Sequence, residues 1–85
     1  MLMHGTADPV ALYSSTAALF AAAHTPKYFL TLDGAQHIQY EEPWLSVSTH
    51  AATDFLSGYL KHDDAALAHL KSDAGVPGKS QLQQG

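Results

Sequence analysis

Two side chains in this sequence are of the types, and in the settings, that acid–base chemistry asks for. Asp8 sits in the loop-forming run His4-Gly5-Thr6-Ala7-Asp8-Pro9, and His37 closes Gly34-Ala35-Gln36-His37. A carboxylate held against an imidazole fixes the tautomer of the ring and stabilises the imidazolium that forms when it takes a proton from a nucleophile. Only folding can bring the two together. Their separation of 29 residues (37 minus 8) suits one crossover helix and one strand between two adjacent loops.

Each residue type has competing uses. Asp before Pro is a common turn former or helix cap, and a lone loop histidine is commonly solvated. Asp33 is the rival acid, but it lies only four residues from His37 and ends a strand-like run, so it reads as a turn or cap. The other histidines (His4, His24, His50, His62 and His69) lack the i, i+4 pair with an intervening Glu that a helical zinc site uses, so no metal is expected. His4 is expected to pack under the acid loop. The serines at 14, 15, 46, 48, 57, 72 and 80 fall in predicted helices or the tail, away from any strained strand-to-helix turn.

The elements that must position the pair follow from local pattern. Met1 to Met3 read as the end of a buried strand, stopped by His4-Gly5. Ala11 to His24 read as a helix with Leu12, Ser15, Ala18, Leu19 and Ala22 on its packing face, widened by Phe20 and Ala23, and ended by Thr25-Pro26. Lys27 to Leu32 is aromatic, β-branched or apolar at nearly every position, which predicts a strand covered on both faces. Asp33-Gly34 breaks it, and 35–40 reads as a loop. Pro43 fits the first turn of a long helix reaching about Lys61, with Glu41 and Glu42 near its positive end. Its stripe is Trp44, Val47, Ala51, Phe55 and Tyr59, beside Ala52, Leu56 and Leu60. Asp63 to Leu70 predicts one further short helix. A right-handed crossover would make the two strands parallel neighbours, with Asp8 and His37 both following carboxyl ends.

At these residues the sequence resembles the α/β-hydrolase superfamily. His4-Gly5-Thr6-Ala7-Asp8-Pro9-Val10 is similar to the strand-end motif that bears the acid of those enzymes, and Gly34-Ala35-Gln36-His37 is similar to their histidine loop. The order Asp then His agrees with the family order Ser, Asp, His. The nearest branch is that of the dienelactone hydrolases, lipases and cutinase-like esterases. The resemblance covers residues 1 to 62. It departs from the family at Ala11, where an apolar residue and proline commonly follow, and at Gln36, where a small residue is common.

The resemblance implies the C-terminal part of a three-layer α/β sandwich: two parallel strands, two main helices, a short C-terminal helix and a tail. Residues 1–70 would belong to the hydrolase domain, and 71–85 would be a disordered polar tail. It implies serine-type hydrolysis of a carboxylic ester, with Asp8 orienting His37 as general base and then general acid, and no cofactor. The nucleophile elbow Gly-x-Ser-x-Gly lies upstream of the acid in that family and does not occur in this sequence. The chain would therefore supply two members of a triad to a missing N-terminal part of the domain. Alone, it is expected to be catalytically silent and marginally stable.

Composition narrows the alternatives. Four lysines and no arginine at a net charge of −4 leave no basic stripe for nucleic acid. No run is long and apolar enough to predict a membrane span. With 46% hydrophobic and 14% charged residues, the chain is apolar for its size, so self-association through an uncovered face is expected. A second reading follows from this: an interaction module or subunit derived from the same fold, with no catalysis of its own.

Overall fold

The computed structural model describes residues 1–37 and 41–85. Of the loop expected over 35–40, Ile38, Gln39 and Tyr40 lie outside the described residues. The elements run β1 (Leu2–Gly5), α1 (Tyr13–Ala22), β2 (Tyr28–Leu32), α2 (Trp44–Leu60), α3 (Asp64–Ala74) and β3 (Ser80–Gln84). The result is a mixed α/β chain with a three-stranded mixed sheet and three helices.

Strand β2 is the centre of the sheet, paired parallel to β1 and antiparallel to β3. All five of its residues are buried, as expected for a strand covered on both faces. Its alternation distributes them. Phe29 stacks on Tyr13 and tilts against Phe20, and Thr31 shares a 2.7 Å hydrogen bond with the Tyr13 hydroxyl, all on the α1 side. Tyr28, Leu30 and Leu32 point the other way into the main core with Ala35, Val47, Ala51, Leu70 and Ala74, contributed by α2, α3 and the loop after β2. Helix, sheet and helix pair thus make three layers.

The helices depart from the sequence reading in instructive ways. Helix α1 meets the sheet through Tyr13, Thr16, Ala17 and Phe20, while Leu12, Ser15, Ala18, Leu19 and Ala22 of the expected packing face are exposed. The i, i+3, i+4, i+7 spacing is right, but the aromatic pair sets the face because two rings bury more than small aliphatics. The helix stops at Ala22, where the Lys27 ammonium donates to the carbonyls of Phe20 and Ala21 at 2.9 and 3.4 Å. At α2, Pro43 occupies the N-cap, one residue before the helix, and the Glu42 carboxylate accepts from the Ser46 amide at 3.3 Å. Val47 and Ala51 are buried as expected, but Leu56 and Leu60 face solvent.

The largest difference concerns residues 71–85, expected to be a disordered tail. Helix α3, capped by Asp63 accepting from Ala66 N at 3.1 Å, continues to Ala74, and the chain then turns into β3. Gln84, Leu82 and Ser80 lie opposite Tyr28, Leu30 and Leu32, and Lys27 and Gly85 exchange backbone hydrogen bonds of 3.0 and 2.9 Å. An edge strand draws its stability from the ladder and needs few apolar side chains, which is how so polar a segment is held.

Candidate active site

The acid loop and the histidine loop leave the carboxyl ends of the two parallel strands side by side, and Gly5 makes their close approach possible. A β-carbon on Gly5 would lie 2.7 Å from the Gln36 carbonyl oxygen and closer still to that of Ala35, so any side chain would push the histidine loop away. Three contacts then knit the loops, and a fourth closes the turn of the histidine loop on itself. Thr6 N donates to Leu32 O at 3.1 Å and Ala7 N to Ala35 O at 3.0 Å; the Gly34 amide donates to Thr6 Oγ1 at 2.8 Å, and Ala35 N to Leu32 O at 3.2 Å. Gly34, at φ +84°, takes the left-handed turn that starts the loop.

Asp8 is held by the backbone ahead of it. Its Oδ1 accepts from the Val10 and Ala11 amides at 2.8 and 2.9 Å, an arrangement in which Asp caps its own turn. The cap and the acid–base roles are therefore compatible in one carboxylate. The other oxygen, Oδ2, meets His37 Nδ1 at 2.9 Å. The Asp8 side chain is only 4% exposed, whereas that of His37 is 48% exposed. Burial pushes the Asp8 carboxyl up. The amides of Ala11 and Val10 and the hydrogen bond and charge of His37 outweigh it and hold the group at about 2, against an ordinary 3.8.

An ionised carboxylate can only accept, so Nδ1 of His37 is the donor and the lone pair of the neutral ring falls on Nε2. The geometry is that of an oriented general base: a buried acid behind, a half-exposed imidazole in front.

Other sequence candidates go elsewhere. Asp33 turns toward β3, its carboxylate accepting from Gln81 Nε2 at 3.2 Å and its carbonyl from Trp44 Nε1 at 3.1 Å. Ser46, Ser48, Ser72 and Ser80 donate to Glu42, Leu45, His69 and Ala74, and among the described residues no serine hydroxyl is bonded to an imidazole. No three His, Asp or Glu side chains among the described residues stand together as a metal site. An open groove of about 530 Å³, lined by Met1, Leu2, Leu19, Phe20 and Lys27 among others, lies at the opposite, amino end of the parallel strands. It lies away from Asp8 and His37, neither of which lines it.

His4 packs under the acid loop as expected; sequence reasoning missed the staple made by Thr6 and the approach of His4 Nε2 to within 3.1 Å of Asp8 Oδ2. The His-x-x-x-Asp spacing of residues 4 and 8 was its one visible signal. In comparisons with known proteins, no family model, no curated protein and no solved structure matches this chain.

Proposed function

We propose that the chain is the acid–histidine portion of a serine-type carboxylic ester hydrolase of α/β-hydrolase type. In this reading Asp8 orients His37, and His37 acts as base and then acid for a serine and an ester bound by a preceding N-terminal part of the same domain. The observation that carries it is the 2.9 Å contact between a buried Asp8 oxygen and Nδ1 of a half-exposed His37, at the carboxyl ends of two parallel strands. Open α/β sheets place their reactive groups at that edge. Catalysis requires a hydroxyl on the Nε2 side and amide donors for the oxyanion, and neither role is assigned to a residue of this sequence.

The coding sequence upstream of Met1 is expected to encode an in-frame Gly-x-Ser-x-Gly elbow. The longer chain is expected to hydrolyse a short-chain nitrophenyl ester. Asp8→Asn is expected to lower turnover roughly 10⁴-fold by stranding His37 in the wrong tautomer, and His37→Ala at least as much. An upstream region without the elbow, or a longer chain indifferent to both substitutions, overturns the reading.

A second reading has its own support. Leu12, Leu19, Leu56 and Leu60 are exposed, and among the described residues β1 has a strand partner on one edge only, which suits an interaction module that meets another chain. Among the described residues no helix is long and apolar enough to cross a membrane.

A further inference from the structure

We infer that His4 is a positioning residue for the Asp8–His37 pair, held as its Nε2–H tautomer by the carbonyl of Ala11, through which it fastens the acid loop, with Thr16 meeting its other ring nitrogen. The inference rests on the proposed function for its purpose, but its structural content stands on hydrogen-bond geometry alone.

His4 is the last residue but one of β1, opposite Thr31 in register, with its side chain on the α1 side of the sheet. Its ring is fixed on three sides. Nδ1 lies 2.7 Å from Thr16 Oγ1, Nε2 lies 3.0 Å from the Ala11 carbonyl oxygen, and Tyr13 packs against it edge to face at 5.9 Å. The Ala11 carbonyl can only accept, so Nε2 must carry a proton. Thr16 can then donate its hydroxyl to a bare Nδ1, which satisfies every polar atom of a neutral ring. The Asp8 carboxylate, 3.1 Å from the same Nε2, is on the favourable side of that N–H dipole.

The consequence reaches His37 by a short path. Ala11 offers its carbonyl to His4 and its amide to Asp8 Oδ1, so one peptide-bearing residue is gripped from both ends. With Oδ1 fixed by Val10 and Ala11, Oδ2 is held between His4 Nε2 at 3.1 Å and His37 Nδ1 at 2.9 Å. A catalytic reading of Thr16, His4 and Asp8 as a triad in its own right fails on access. The His4 side chain is only 9% exposed, and Thr16 lies inside α1 with its hydroxyl spent on the ring.

The test uses the 85-residue chain and involves no turnover, so an absence of esterase activity in any longer chain leaves it intact. Nitrogen NMR of the imidazoles is expected to show neutral His4 with Nε2 protonated and Nδ1 bare. In His4→Phe, which keeps the ring volume, the Asp8 carboxyl midpoint followed by carbon NMR is expected to rise by about one unit toward its ordinary value. His4→Gln, which restores a donor near the position of Nε2, is expected to recover at least half of that shift. Thr16→Val is read alongside, in case His4→Phe does not fold. It is expected to leave Nε2 protonated, since the Ala11 carbonyl still faces it, and to move the Nδ1 resonance of His4 toward that of a ring nitrogen with no hydrogen-bond donor. A wild-type His4 protonated on Nδ1, an unmoved Asp8 midpoint in folded His4→Phe, or a His4 whose proton moves to Nδ1 in Thr16→Val overturns the inference.

Discussion

A β-carbon on Gly5 would strike main chain, whereas one on Gly58 would strike the Leu67 side chain across the contact of α2 with α3. Main chain tied into two hydrogen-bonded loops cannot step aside, but a leucine can change rotamer. Gly5→Ala is therefore expected to cost about 3 kcal/mol, which for a chain of this length is a fall of more than about 10 °C in Tm. Gly58→Ala sets an equally close approach, but to a side chain that can move, against roughly 0.8–1 kcal/mol of gained helix propensity and should cost less than Gly5→Ala. Equal losses in thermal melts of the two variants would contradict this account. Asp8 makes a second claim at this scale. Its folded carboxyl titrates at about 2 against an ordinary 3.8, so the folded chain binds its proton later than the unfolded chain does. Its contribution is present in full above about pH 4 and lost as pH falls toward 2. Melting of the parent and of Asp8→Asn is expected to differ at pH 5 and to converge by pH 2; a constant gap would show that ionisation of Asp8 is not what stabilises the loop.

Elements differ in how openly their pattern declares them. The central strand was legible because every residue from Tyr28 to Leu32 is buried, and the acid and histidine loops were legible because Gly, Asp and Pro mark strand ends. Helix α1 was legible as a helix but not in orientation. Its alanines and leucines offer several equivalent faces, and the choice fell to Tyr13 and Phe20 through the one ring, Phe29, that β2 turns toward them. Strand β3 was not legible at all, since Ser80-Gln81-Leu82-Gln83-Gln84 has one apolar residue and its order comes from partners remote in sequence. One of those ties is local and testable. Ser80, only 3% exposed, donates to the carbonyl of Ala74 at 2.6 Å and accepts from the Val76 amide at 2.9 Å, joining the end of α3 to the start of β3. Ser80→Ala strands a carbonyl and an amide where water reaches poorly and should cost about 2 kcal/mol in denaturant unfolding. Exposed Gln83→Ala should cost less than about 0.5 kcal/mol. A neutral Ser80→Ala would mean that β3 is held by the ladder alone.

For the whole molecule, the third strand changes where the uncovered surface lies. A sheet of two strands would leave β2 open, but β3 closes that side and presents a polar outer edge that is a poor template for a further strand. The remaining edge is β1, where half-buried Leu2 and Met3 adjoin the groove lined by Met1, Leu2 and Leu19, and Leu19 itself is 61% exposed. The total accessible surface of 5227 Å² is within a tenth of the roughly 4,900 Å² typical of a folded monomer of this mass. The described chain is thus about as compact as a folded monomer of its size, and association through the uncovered edge is expected to be reversible. Covering about 800 Å² per chain, the size of an ordinary stable interface, would take the β1 edge together with the groove and the outer face of α1. Sedimentation velocity is expected to show a monomer–dimer equilibrium in the micromolar range. Leu19→Lys is expected to shift it toward monomer with no loss of melting temperature, because that side chain stands in solvent, and Gln83→Lys on the opposite edge is expected to leave it unchanged. A parent chain that stays monomeric at high concentration, or one dissociated equally by both lysines, would show that β1 is not a surface of self-association.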